Sequence, residues 1–343
     1  MQYKYLGQTG IQVSRYCLGA MMFGASGNTD HADCVRVIHR AIDAGINFID
    51  TADVYSQGES EQIVGQAIKG KRDGLVVATK FFFPMGADRN DHGGSRRWLV
   101  REVENSLRRL GTDYIDLYQI HRFDENTDLE EILFTLTDLV RQGKIRYFGS
   151  SMFPPDRIVE SHWLAEKRGL LRFRCEQPWY SLFARDIERF VLPICNRYGM
   201  GVITWSPLDG GFLSGKYKTK KDLTEDSRIG KFAARFMGGF NPEDELYRQK
   251  LALVGELTPV AKKAGITLAQ LAVAFVLEHP SVTATIIGPR TMEHLEGLLP
   301  VADLKLDTAI LDELDRIVPP GSSVNPPRDL PDGTAVKIRR SRE

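Results

Sequence analysis

Along the chain, short runs of consecutive apolar residues alternate with longer stretches in which apolar positions recur every three or four residues, the two patterns that mark buried strands and amphipathic helices. The runs are YCLGAMMF at 16–23, NFIDTAD at 47–53, GLVVATKF at 74–81, YIDLYQIH at 114–121, RYFGSS at 146–151, RFRCEQ at 172–177, GVITWSP at 201–207 and TATIIG at 283–288, eight in all. Ahead of them the turn sequence GQTG at 7–10 predicts an N-terminal hairpin. Between the runs lie helical stripes. Cys34, Val37, Ile38, Ala41 and Ile42 form one that stops at Gly45, a residue suited to a left-handed helix end. Leu129, Ile132, Leu133, Leu136 and Val140 form another, and Thr127 with Glu130 has the spacing of a capping box in front of it. Pro193 predicts a kink or an early break in DIERFVLPICNRYG.

Strands that are apolar on both faces belong to a parallel sheet covered by helices. Eight strand–helix units predict a closed (β/α)8 TIM barrel, an α/β fold, with an N-terminal β-hairpin and a C-terminal helix and tail. An open dinucleotide-binding sheet would carry a GxGxxG turn after an early strand, and the sequence contains none. The expected organisation is one barrel domain over residues 1–343, with 319–343 as a tail that either lies over the barrel mouth or is disordered. The long Gly-, Lys- and Arg-rich connection from Leu208 to Asp244 reads as a functional loop after the seventh strand.

Composition narrows the partners. Lysine plus arginine equals aspartate plus glutamate at 45 each, so no global field draws the chain to nucleic acid or to an anionic membrane. The four cysteines, Cys17, Cys34, Cys175 and Cys195, show no CxxC spacing and read as buried thiols. No apolar run approaches the ~18 residues of a spanning helix, and MQYKYLGQTG lacks a signal-peptide core. The expectation is a cytoplasmic protein acting on a small molecule, with a homo-oligomer left open.

In a barrel of this type, chemistry gathers at the C-terminal ends of the strands. Asp50 ends the second strand, with Tyr55 in the loop beyond it; Lys80 ends the third and His121 the fourth. A free tyrosine has a pKa of about 10 and donates a proton poorly unless its phenolate is favoured. A nearby lysine does that, and an aspartate keeps the lysine charged and aimed. Tyr55 is then a general acid toward a carbonyl oxygen, with His121 as a second hydrogen-bond donor. For a phosphate-bearing ligand, Gly210, Gly215 and Lys216 follow the GxxxxGK spacing, but Tyr217 stands where a triphosphatase needs Ser or Thr. Arg290, in the loop after the eighth strand with Gly288, precedes a helix that Thr291 is placed to cap.

The segments NFIDTADVYSQGESEQIVGQAIKG, VVATK, LGTDYIDLYQIHR, GKIRYFGSS, EQPWYSL, GVITWSPLDGGFLSGKY and IIGPRTMEHLEGL occur in order from about residue 3 to Val318. Together they resemble the aldo-keto reductase superfamily, in the branch that includes potassium-channel β-subunit-like and bacterial members. The resemblance implies carbonyl reduction with NADPH (or NADP+ in reverse), with Tyr55 as proton donor, Lys80 and Asp50 tuning it, and His121 orienting the carbonyl. It implies Ser151 and Gln177 on the nicotinamide carboxamide, Trp205 stacked on the ring, Ser206, Leu208 and Gly210 along the diphosphate, and Arg290 on a 2′-phosphate. Met152 stands where many members have Asn, and His294 replaces the glutamine of the usual adenine-holding EQLxEN.

Met22, Phe23, Phe81, Phe82, Met85, Phe123 and Trp179 are the candidate pocket walls, favouring a bulky or aromatic carbonyl, with 84–97 as a lid. Two other functions compete. A cofactor-binding regulatory or sensor subunit would use the same fold with little turnover. A metal-dependent hydrolase would use Asp50, Asp53 and His121, but no HExxH or HxH spacing supplies its ligands, so no catalytic metal is expected.

Overall fold

A computed structural model describes residues 1–224, 229–230, 241 and 243–325. Two short antiparallel strands, β1 (Tyr3–Tyr5) and β2 (Gln12–Ser14), form the expected hairpin. Eight parallel strands then close a barrel in the order β10-β3-β4-β5-β6-β7-β8-β9. They are β3 (Tyr16–Gly19), β4 (Phe48–Asp50), β5 (Val76–Phe81), β6 (Ile115–Ile120), β7 (Ile145–Ser151), β8 (Cys175–Gln177), β9 (Gly201–Thr204) and β10 (Ala284–Ile287). Each lies inside one of the eight apolar runs read from the sequence, except that β7 begins one residue earlier, at Ile145.

Helices α1 (His31–Asp43), α2 (Glu59–Ile68), α3 (Arg96–Leu110), α4 (Leu129–Arg141), α5 (Pro155–Arg168), α6 (Val191–Tyr198), α7 (Glu245–Lys263) and α8 (Leu268–Glu278) alternate with the strands, followed after β10 by α9 (Met292–Glu296) and α10 (Thr308–Ile317). Cys34, Val37, Ile38 and Ala41 of the α1 stripe are buried and Ile42 is half-buried, and Gly45 takes φ +90° immediately past the helix. Pro193 falls in the first turn of α6, where its missing N–H is one the helix leaves unused. The α4 cap is corrected by one residue. Asp128, not Thr127, accepts from the Glu130 backbone N–H, while the Thr127 hydroxyl donates to Asp124 Oδ2 at 2.7 Å. A carboxylate directly ahead of Leu129 outcompetes the hydroxyl one residue further out.

Strand alternation divides the core in two. Val77, Phe81, Tyr118, Phe148 and Val202 point outward and join the helix stripes in one large apolar layer. Phe48, Val76, Ala78, Leu117, Cys175, Ile203 and Ala284 point inward and fill the barrel, closed from below by Leu6 and Val13 of the hairpin. The barrel is therefore a packed plug rather than a pore, and polar side chains one step higher on the inner face have a floor to stand on. The loops above that floor are only partly described: 225–228, 231–240 and 242 of the Leu208–Asp244 connection, and 326–343 of the tail, lie outside the described residues.

At the other end of the tail, the chain is stitched to the loops of the mouth. Arg185 N–H donates to the Ser322 carbonyl, Val324 N–H to the Phe183 carbonyl, and the Asn325 side chain to Phe183 O and Asp209 Oδ1. Residues 321–325 thus lie along the loop after β8 and touch the loop after β9. No single helix among the described residues is long and apolar enough to cross a membrane.

Candidate active site

Moving two residues up each strand from the apolar plug keeps the side chain on the inner face. From Phe48 that step reaches Asp50, from Ala78 Lys80, from Leu117 Gln119, from Cys175 Gln177, and from Ile203 Trp205. These side chains converge. Lys80 Nζ donates to Asp50 Oδ1 at 2.5 Å, to the Thr51 carbonyl at 2.9 Å and to the Tyr55 hydroxyl at 3.3 Å. Asp50 Oδ2 accepts from Gln177 at 2.9 Å and from Gln119 at 3.3 Å. Lys80 and Asp50 are 0% and 2% exposed, so the pair has no water to share its charge with.

Tyr55 begins a tight turn, and Ser56 and Gln57 behind it take φ of +49° and +56°, a conformation that side chains with a Cβ rarely adopt. The turn is tied back by Ser56, whose hydroxyl donates to the Phe23 carbonyl and accepts from Ser26 N–H. The Tyr55 ring meets His121 edge-on at 5.8 Å between centroids. Phe82, Met152, Ser206 and Asp209 are the remaining non-glycine residues with positive φ among the described residues. All six stand just past the C-terminal ends of barrel strands, and backbone strain of this kind collects at functional sites.

Burial raises the Tyr55 phenol above its ordinary value, and the attraction of Lys80 only partly opposes this. The net direction is therefore the reverse of the lowering expected from a lysine neighbour alone. For Lys80, burial works against the charge, yet Asp50 and Tyr55 outweigh it and hold the ammonium above its usual range. Burial, with Lys80 and Arg122 adding repulsion, pushes His121 well below 6.5, so its ring is neutral at pH 7. Neither ring nitrogen of His121 has a hydrogen-bond partner among the described residues, and Nδ1 is buried. The site thus holds a protonated phenol, a permanent cation behind it and a neutral imidazole with unused hydrogen-bonding capacity. That set can give a proton to an oxygen and hold the oxygen as it does so.

The sequence profile of the Aldo/keto reductase family matches residues 15–319. The chain belongs to this family. A Bacillus subtilis (strain 168) protein named as an uncharacterized oxidoreductase is 40% identical over 331 residues, covering 93% of this chain and 96% of its own. An Arabidopsis thaliana protein named "Probable voltage-gated potassium channel subunit beta" is 34% identical over 325 residues, covering 93% and 97%. A Schizosaccharomyces pombe protein also named as a potassium channel β subunit is 33% identical over 323 residues, covering 92% and 93%. Membership makes this aldo/keto reductase chain one of a family of oxidoreductases.

The residues proposed from its sequence for a dinucleotide line one side of the same mouth. The Ser151 hydroxyl donates to the Gln177 carbonyl at 2.8 Å, and the Gln177 amide nitrogen is spent on Asp50 and Gln119. Trp205 stacks on Trp179 at 5.4 Å with 19° between planes, and its indole N–H is buried without a partner among the described residues. In the turn after Leu208, Gly210 and Gly211 have φ of +65° and +100°, and the Ser206 hydroxyl accepts from Gly210 N–H at 3.3 Å. Asp209 anchors that turn from behind through Lys250 at 2.6 Å and Asn325 at 2.8 Å. Lys216 is exposed beside the glycines, with Nζ 4.7 Å from the Tyr217 ring. In the neighbouring loop after β10, a Cβ on Gly288 would meet nothing among the described residues, and Arg290 is exposed without an ion pair among them. Thr291 caps α9 by accepting from His294 N–H as expected, and His294 is exposed on that short helix. Two cations on neighbouring loops, an open glycine and an indole N–H without a partner among the described residues fit an extended dinucleotide with more than one anionic group.

The predicted pocket walls need two corrections. Phe81 is 0% exposed and stacks on Tyr118 at 4.8 Å in the outer layer, because the residue after inward-facing Lys80 must face outward. Phe23 is also fully buried in that layer and offers no surface to a ligand. Phe83, which the sequence reading passed over, meets His121 at 4.9 Å, the positive φ of Phe82 having broken the strand alternation just before it. Met22, Phe82, Met85 and Phe123 are half-buried, Phe123 packing edge-on against Phe153. Gln119 was also missed; it pairs in register with the strand position of Lys80, which is the signal that would have found it. Asp53 belongs elsewhere: burial, with Glu61 and Glu102 nearby, pushes its carboxyl well above the usual range. Among the described residues no three His, Cys, Asp or Glu side chains gather at metal-holding distance.

Proposed function

We propose that this aldo/keto reductase catalyses reversible, NADP(H)-dependent reduction of an aldehyde or ketone to an alcohol. The observation that carries the reading is the buried relay Asp50–Lys80–Tyr55 ending beside a neutral, unpartnered His121. A nicotinamide cofactor, when bound, supplies the hydride to the carbonyl carbon. Tyr55 holds the proton that the carbonyl oxygen takes up, and its raised pKa keeps that proton in place at neutral pH. As the proton leaves, the phenolate that forms is met by the Lys80 ammonium already 3.3 Å away. Asp50 keeps Lys80 charged and aimed, and Gln119 and Gln177 keep Asp50 from turning. His121 gives the oxygen a second hydrogen bond without adding a competing charge.

Lys216 and Arg290 are the residues assigned to the diphosphate and to a 2′-phosphate, and Arg290 is the reason for preferring NADPH over NADH. Tryptophans 179 and 205 with Phe83 and Phe123 shape an aromatic mouth suited to a bulky carbonyl. The names of the plant and yeast relatives favour a second reading, a cofactor-binding regulatory subunit. Oxidation of NADPH and, separately, NADH with a panel of aliphatic and aromatic aldehydes and ketones tests both. Turnover with NADPH and a bulky carbonyl supports the enzyme; tight NADPH binding without turnover on any carbonyl transfers the case to the regulatory subunit.

A further inference from the structure

The opposite end of the barrel carries a second concentration of charge. Arg146 follows the first residue of β7, and Arg172 and Arg174 precede β8, so all three stand at the N-terminal rim. With Ile11 of the hairpin, Val140 of α4 and Leu171, they line a cavity of about 450 Å³, within the range of small-molecule sites. Among the described residues no aspartate or glutamate lines it. Several arginines elsewhere are neutralised: Arg72 pairs with Asp116, Arg109 with Glu61, Arg168 with Glu130 and Arg185 with Glu188. Here, among the described residues, Arg172 reaches only the Gln8 amide oxygen at 3.3 Å, and Arg146 only the Gly143 carbonyl and the face of Tyr114. The Arg174 side chain has no hydrogen bond among them.

The charge is felt inside the protein. His162 is buried behind this wall, stacked on Tyr198 at 4.1 Å. Burial first, and then repulsion from Arg172 and Arg174, lowers it to about 4. Two adjacent, unneutralised guanidiniums beside an apolar floor form an arrangement that an anion relieves and that an apolar body fits.

We propose that this rim cavity is a binding site for a small organic anion, whose carboxylate or phosphate group lies between Arg172 and Arg174 and whose apolar body rests on Ile11, Val140 and Leu171. The site is separate from the mouth where Tyr55 and His121 stand and does not depend on the reductase reading.

The test uses octanoate as the anionic amphiphile, inorganic phosphate as the anion without a body, and octan-1-ol as the body without a charge. Binding to the full-length protein is measured by calorimetry, and its location by the histidine ring signals in NMR spectra, with His162 reporting the rim and His121 the mouth. The expected result is one octanoate per chain that shifts the His162 signals, raises the pH at which that ring protonates, and leaves His121 unmoved. Phosphate should reproduce the His162 shift at higher concentration, and octan-1-ol should not. The pair Arg172→Gln, Arg174→Gln should weaken octanoate by about tenfold or more, whereas Arg172→Lys with Arg174→Lys, which keeps both charges, should stay within about threefold. The proposal is overturned if octanoate moves only His121, if octan-1-ol shifts His162 as strongly, or if the glutamine pair binds octanoate as the native protein does.

Discussion

Asp50 and Lys80 lie 2.5 Å apart with almost no exposure, so neutralising one strands the other as an isolated buried charge. Asp50→Asn is expected to destabilise the protein by about 3–5 kcal/mol in urea denaturation, and adding Lys80→Met should restore part of that loss. A double variant no better than the single would show that the two residues act independently. The direction of the titrations fixes the pH behaviour of the same centre. Tyr55 loses its proton only above its ordinary value, and His121 gains one only well below its own. Reductive kcat/KM is therefore expected to be flat from about pH 6.5 to 9.5, while alcohol oxidation, which needs the phenolate, should rise with pH over the same range. A reductive profile that breaks near pH 7 would contradict these assignments.

At the scale of the element, strand parity decides which neighbour does what. Phe81 and Phe83 are two residues apart in one aromatic run, yet one is core and the other faces the site. Phe81→Ala should cost about 3–5 kcal/mol of stability and leave the carbonyl KM nearly unchanged. Phe83→Ala should do the reverse, changing KM for an aromatic carbonyl with less than about 1 kcal/mol of stability lost. Equal effects of the two on stability would refute the placement. The eight strands and the charged ends of three of them were legible because each is a local signal: a continuous apolar run, and an ionisable residue where it stops. Phe81 was misread as a pocket wall although the alternation set by Lys80 turns it outward, whereas the left-handed residue at Phe82 that redirects Phe83 carries no signal in the sequence. Side chains lacking such a marker, such as Gln119, become site residues only through their register across the sheet. The α4 cap was misplaced for a similar reason, since Thr127 and Asp128 are both good caps and the choice depends on Asp124 taking the threonine hydroxyl.

Across the whole molecule, the apolar plug explains why the polar residues collect at one end, and the buried histidines show how the fold responds to acid. His162 titrates at about 4 in the folded chain and near 6.5 when unfolded, so between those values the unfolded state binds more protons. Its contribution is complete above about pH 6.5 and is lost as pH falls toward 4, by at most about 3 kcal/mol, with His121 acting in the same sense. The urea midpoint should fall across that window, and His162→Phe should make the fall shallower; an unchanged slope would refute the assignment. The arginine wall that adds to the His162 shift was not legible in the sequence, because Arg146 of β7 and the 172–174 pair ahead of β8 meet only after the barrel closes. The same holds for the tail, whose Asn325 reaches Asp209 across 116 positions of sequence.

The measurement that tests the central account most directly is NADPH oxidation by the native protein and by Tyr55→Phe with a saturating aromatic aldehyde, alongside NADPH binding by both. The account predicts turnover by the native protein, a loss of about 10²–10⁴-fold in the variant, and the same NADPH affinity in each. Native turnover that survives the loss of the Tyr55 hydroxyl would contradict it.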